Sequence, residues 1–225
     1  MTRWSRLAAV FAWLFPGLGA AAAGGLPPRF VRLADVAPSI RQDIRYAGRD
    51  NFTGRPVPGY AAAQCWLRRE AAEALARVQA GAEAAGLTLV VYDCYRPTRA
   101  TDAFVKWAQD PGDQTRKADF YPDVDKTKLF AQGYIGRKSA HSLGTTVDAA
   151  LTGADGAGLD FGTPFDLFSP RSATRAPGLA PAAAKNRADF VARMAAEGFE
   201  NYKNEWWHFT LRGVGNARPH DIDIR

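Results

Sequence analysis

The chain has 225 residues, of which 47% are apolar and 23% charged, and its formal charge is +6. That balance excludes a disordered chain and leaves room for one sizeable core. With no basic run beside so modest a charge, there is no case for nucleic-acid binding.

The first residues, "MTRWSRLAAVFAWLFPGLGAAAAGG", carry Arg3 and Arg6 ahead of an apolar stretch over 7–15 and small residues at Ala20–Ala23. This is the layout of a secretory signal peptide over residues 1–23. The stretch is short for a membrane span and broken at Pro16-Gly17, so no stable span is expected once it is removed. Its loss takes two arginines and no acid, lowering +6 to +4. The remaining chain, 24–225, reads as a single exported domain, periplasmic or secreted. An exported chain meets an oxidising compartment, and its two cysteines, Cys65 and Cys94, fit either a disulfide or two buried thiols.

Beyond the leader, residues 30–60 alternate short apolar runs with Gly, Pro and Asn, the pattern of irregular structure with short strands. Residues 65–85 repeat Trp66/Leu67, Ala71, Ala74/Leu75 and Val78 at helical spacing, which predicts an amphipathic helix ended by Gly86. "LTLVVYDCY" follows as a buried strand, then a helix over 100–109. Residues 110–137 are polar and mixed, with a short helical turn near 128–134. "TTVDAAL" predicts a second strand, 152–178 a long Gly/Pro/Asp/Ser-rich loop of functional length, 182–198 a second clear helix, and "EWWHFTL" a third strand. Strands and helices without regular βα alternation predict one α+β domain, a small antiparallel sheet with flanking helices.

Three histidines make each one informative. His220 lies in a polar tail and reads as an ordinary surface residue. His141 and Asp148 stand seven residues apart across the Gly144 turn, and Asp148 is a charge inside an otherwise apolar or hydroxyl-bearing strand. A buried carboxylate needs a cation or hydrogen-bond donors. His208 offers a third ligand, and two histidines with one carboxylate and an open position are a common catalytic zinc set. Glu205, three residues before His208, is then free to act as a base. A turn entering a strand and a surface Glu-x-x-His pair account for the same spacing. Arg96 closes a buried strand before Pro97, placed either to stabilise an oxyanion or to pair with Asp93. Asp166, in the long loop, is either a partner for a cationic group or a solvated loop acid or helix cap.

Five segments in order, "YAGRDNFTG", "YDCYRP", "SAHSLGTTVD", "GTPFD" and "EWWH", resemble the VanX-type D-alanyl-D-alanine dipeptidases, zinc peptidases of the hedgehog-like D-Ala-D-Ala-peptidase superfamily. The likeness runs from about Phe30 to Leu211. It implies a zinc-bearing cleft with one Zn2+ per chain on His141, Asp148 and His208, Glu205 as general base and Arg96 as transition-state stabiliser. It further implies that Asp166 receives the dipeptide's free amine, and that Tyr46 and Ser139 line the pocket. The expected activity is hydrolysis of the small dipeptide D-Ala-D-Ala in peptidoglycan turnover. A D,D-carboxypeptidase acting on stem peptides and a non-catalytic wall-binding module are the alternatives. One departure stands out: Leu143 replaces the arginine of the usual "HSRG", and "DAAL" replaces "DLTL".

Overall fold

The computed structural model describes residues 25–225, so the leader over 1–23 lies outside the described residues. Seven strands and five α-helices follow in order: β1 (Phe30–Arg32), α1 (Leu33–Val36), β2 (Arg41–Gln42), β3 (Trp66–Arg68), α2 (Arg69–Glu83), β4 (Leu87–Asp93), α3 (Thr98–Gln109), α4 (Lys117–Phe120), β5 (Thr146–Gly153), α5 (Pro181–Ala196), β6 (Phe199–Asn201) and β7 (His208–Leu211). The fold is α+β. Five strands form one sheet in the order β2-β4-β5-β7-β6, and β1 pairs with β3 in a separate ribbon. All pairs are antiparallel except β2 with β4, which is parallel.

β5 is the central strand, and every residue from Thr146 to Thr152 is buried. That explains its near-continuous run of small and β-branched side chains, since both faces are covered. The Ala-rich α2 lies against β4, and α5, opened by Pro181 at a position where no intrahelical N–H is needed, lies against β6 and α2. Ala71, Ala72, Ala74 and Ala82 of α2 are buried, small enough to let the helix approach closely. Gly86 ends this region in the left-handed conformation (φ 71°).

Two expected boundaries differ. The helix expected from residue 65 begins at Arg69, because Trp66–Arg68 pair with Phe30–Arg32 and the Cys65 carbonyl accepts from Leu33 N. The expected strand at 205–211 shortens to His208–Leu211. Asn201 Nδ2 donates to the carbonyls of Glu205 and His208, so 205–207 is held as a turn. Cys65 and Cys94 form a disulfide. Tying residues 29 apart in sequence contributes about 3–4 kcal/mol by restricting the unfolded chain.

The C-terminal tail is not a loose polar end. Thr98 N donates to His220 O, His220 N to Ser142 O, and Ile222 N to the Tyr95 hydroxyl. Arg99 donates to Asp221 and Asp223, and Ile224 is buried in the core beside Tyr60. The His220 ring meets Phe30 edge-on rather than standing in solvent.

Candidate metal and catalytic site

Strand pairing assembles the site. In the register, Asp93 on β4 is opposite Asp148 on β5, which is opposite His208 on β7. The β4 ladder shifts between Val91 and Asp93, an irregularity of the kind that re-aims a side chain at a strand end. His141 arrives from the short turn Ala140–Leu143, capped by Ser139, whose Oγ accepts from His141 N. Gly144 closes that turn at φ 72°, and a Cβ there would stand 2.2 Å from the Phe30 ring, so only glycine fits.

His141, Asp148 and His208 present one nitrogen or oxygen each within 4.8 Å of one another. Asp148 Oδ1 is 3.3 Å from His141 Nε2 and 3.0 Å from His208 Nδ1, yet this buried oxygen has no hydrogen bond of acceptable geometry. His141 Nδ1 lies 2.7 Å from the Cys94 carbonyl. A carbonyl only accepts, so Nδ1 carries the hydrogen and the Nε2 lone pair faces the cluster. The Nε2 atom is 3.3 Å from His208 Nδ1. A buried carboxylate oxygen left without a hydrogen bond between two imidazole nitrogens fits a bound cation, and the mixed nitrogen and oxygen set suits zinc. Burial works to raise the Asp148 carboxyl, but the two imidazoles outweigh it and hold it below the usual range.

Glu205 Oε2 is 3.5 Å from His208 Nδ1, beside the cluster but not part of it. Burial pushes its carboxyl up to about 7, with His208 opposing and Asp148 adding to the rise. A carboxyl poised near neutrality suits proton transfer. Arg96 makes the ion pair with Asp93 that its sequence context allowed, and it also lines the cleft. Its Nε and Nη2 hold Asp93 Oδ2 at 3.0 and 2.7 Å, and Nη2 stands 3.9 Å from Asp148 Oδ2. The guanidinium also packs over the Tyr46 and Phe104 rings.

A cleft of about 220 Å³ opens in front of these groups, lined among others by Tyr46, Arg96, Ser139, Asp166 and Glu205. Asp166 is no solvated loop acid: it is 4% exposed and accepts from the Tyr46 hydroxyl at 2.7 Å. Burial, then the Asp148 carboxylate, push its carboxyl well above the ordinary range. A cation arriving beside it would oppose both effects by favouring the carboxylate. Leu143 is half-buried and is not among the cleft-lining residues, so the position that departs from the family pattern lies away from the wall. Trp206 and Trp207 are buried, Trp206 stacked on Phe161 at 4.2 Å, and they pack the turn that carries Glu205 and His208.

Sequence reading missed Tyr60, whose hydroxyl donates to Asp93 Oδ1 at 2.6 Å and thereby braces the partner of Arg96. It also missed Phe52, Phe104 and Phe168 in the cleft wall. An aromatic at helical spacing, such as Phe104, looks like core until the fold shows which cavity it faces.

The family model described as D-ala-D-ala dipeptidase matches residues 28–222. A D-alanyl-D-alanine dipeptidase of Streptomyces coelicolor is 41% identical over 186 residues, 81% of this chain and 91% of that protein. Those of Enterococcus faecalis and Escherichia coli are 38% and 36% identical, covering 81% and 80% of this chain and 91% and 83% of theirs. A solved vancomycin-resistance D,D-pentapeptidase in complex with Zn(II) aligns at 15% identity with a TM-score of 0.40, over 68% of this chain and 76% of that one, too slight a likeness to argue from. With a family match over nearly all of the described residues, the chain belongs to the D-ala-D-ala dipeptidase family of peptidases.

Proposed function

We propose that the protein is a zinc-dependent dipeptidase that hydrolyses D-alanyl-D-alanine to two D-alanines. The observation that carries this reading is the buried Asp166 carboxyl facing the same 220 Å³ cleft as the ligand set and Glu205. A space of that size with an acid at its inner wall suits a short substrate with a free amine. A zinc ion on His141, Asp148 and His208 would supply a Lewis acid and lower the pKa of its water to about 7. Glu205 takes the proton of the attacking water as its oxygen bonds to the scissile carbonyl carbon. Arg96, held by Asp93, donates to the carbonyl oxygen as negative charge develops there. When the C–N bond breaks, Glu205 returns the proton to the leaving amine. Asp166 pairs with the substrate ammonium, while Tyr46 and Ser139 line the pocket and fix its shape.

Free and N-acetylated substrates separate this reading from its alternatives. D-alanyl-D-alanine is expected to be cleaved, and N-acetylation to remove most turnover, because it deletes the charge that Asp166 pairs and adds bulk. Preference for a blocked peptide would instead mark a D,D-carboxypeptidase, and binding without turnover a wall-binding module.

The leader over residues 1–23 supports an exported enzyme, one that recovers D-alanine from wall peptides rather than acting on the cytoplasmic dipeptide pool. In cell fractions, the chain is expected outside the cytoplasm with residues 1–23 removed. A full-length chain confined to the cytoplasm would reverse this assignment.

A further inference from the structure

Arg187 is a charged core residue for which the proposed chemistry has no use. It lies on α5 and is 1% exposed. Its hydrogen bonds all go to uncharged oxygens: Nε to Phe161 O at 2.7 Å, Nη1 to Arg171 O at 3.0 Å and Ala173 O at 2.6 Å, and Nη2 to Thr163 Oγ1 at 3.3 Å. An apolar side chain of similar volume would stabilise a core at least as well as a buried cation, so packing alone does not account for it.

What the guanidinium grips is the loop that carries Asp166, on both sides: Phe161 and Thr163 before it, Arg171 and Ala173 after it. Trp206 Nε1 also donates to Thr163 Oγ1, at 2.9 Å. Both of these nitrogens only donate, so Thr163 accepts twice and its own proton goes to Ser172 Oγ, 3.2 Å away. Ser172 Oγ in turn donates to Leu167 O at 2.7 Å, and Ser172 O accepts from Trp206 N at 3.0 Å. A directed chain therefore runs from Arg187 and Trp206 through Thr163 and Ser172 to the carbonyl next to Asp166. Its other end is the residue that follows Glu205.

Two features show that this chain has something to hold. Asp166 has φ 61°, a left-handed conformation that is uncommon outside glycine, though least costly for Asn and Asp, and that the surrounding bonds help to hold. A solvent-open hollow of about 130 Å³ runs along the loop, lined by Tyr92, Leu151, Phe161, Thr163 and Trp206, so on that side close packing does not hold the loop.

We propose that Arg187 is a positioning residue that sets the separation between Asp166 and Glu205, and through it the enzyme's selectivity for a free-amine dipeptide. The inference rests on the proposed function. In Arg187→Ala, KM for D-alanyl-D-alanine is expected to rise roughly tenfold or more, as for other small misplacements of binding groups. The preference for free over N-acetylated dipeptide is expected to narrow by a similar factor, with zinc per chain unchanged. Guanidinium ion at tens of millimolar, but not methylammonium, should recover part of the KM, an effect that general loosening of the fold would not produce.

Thr163→Val is the second variant, and the deciding one if Arg187→Ala does not fold. It breaks the chain but spares the three carbonyl bonds of Arg187, and the same narrowing of selectivity is expected. Unchanged KM and selectivity in either folded variant, or a loss confined to kcat or zinc content, would overturn the inference alone. A wild-type enzyme inactive on D-alanyl-D-alanine defeats the proposed function, and the inference falls with it.

Discussion

Glu205→Ala is expected to lower kcat by roughly 10²–10⁴-fold, the range for removing a general acid–base group, while zinc stays bound at one per chain. The two halves of that expectation rest on different observations. Zinc should stay because the cluster of converging ligand atoms comprises His141, Asp148 and His208 and does not include Glu205. Turnover should fall because Glu205 is the carboxyl nearest the cluster that is engaged neither as a ligand nor by an arginine, and burial brings it to about 7. The turn that holds it also depends on Asn201, which donates to the Glu205 carbonyl at 3.0 Å and not to the side chain. Truncating the side chain therefore leaves the backbone geometry around His208 in place. Steady-state kinetics with metal analysis of the same sample checks both halves. Full activity, or loss of zinc, would remove Glu205 from its assigned role.

Replacing Arg96 by alanine should damage stability and catalysis together. Its guanidinium is the double donor to Asp93, whose side chain is fully buried. Removing it leaves a buried carboxylate with Tyr60 Oη and the Cys94 N–H on Oδ1, and on Oδ2 only the His141 Nδ1–H, 3.3 Å away and already directed at the Cys94 carbonyl. Breaking a buried pair from one side costs about 3–5 kcal/mol, which lowers Tm by roughly 10 °C in a domain of this size. Arg96→Lys should restore part of the stability but little of the turnover, because an ammonium lacks the planar fork that holds Asp93 and, on the proposed mechanism, would also serve the substrate oxygen. Thermal melts alongside kinetics test this. A lysine variant with wild-type turnover would show that point charge alone is sufficient, and that Arg96 has no directional part in the reaction.

Much of the site was legible in the chain because chemistry-bearing residues sit where strands end. His141 and Asp148 flank a glycine turn, Arg96 precedes a proline, and Glu205 and His208 border a β-forming run. Each of these contexts is local, and local context survives folding. What sequence could not supply was the sideways neighbour. Asp93 faces Asp148 only because β4 pairs with β5 across more than fifty residues. Tyr60 reaches Asp93 from an irregular segment that carries no periodic signal. The same reasoning explains the misplaced boundary at residue 66. Trp66 and Leu67 fit the helical stripe by spacing, but β1 offers them a ladder, and that tertiary pairing overrode the local pattern. By sequence alone Arg187 is one more charged residue in a helix. Its significance depends on a loop fourteen or more residues upstream folding back onto it.

The chain order of the sheet also has a consequence in time. β5, which carries Asp148, lies between β4, made earlier, and β7, made about sixty residues later with His208. The tail that ties Ser142 and Thr98 through His220 is made later still. A nascent chain can therefore present only part of the ligand set until synthesis is nearly finished. If the leader directs the chain across a membrane while it is still being made, the ligand set closes only on the far side, and a metal would be acquired there.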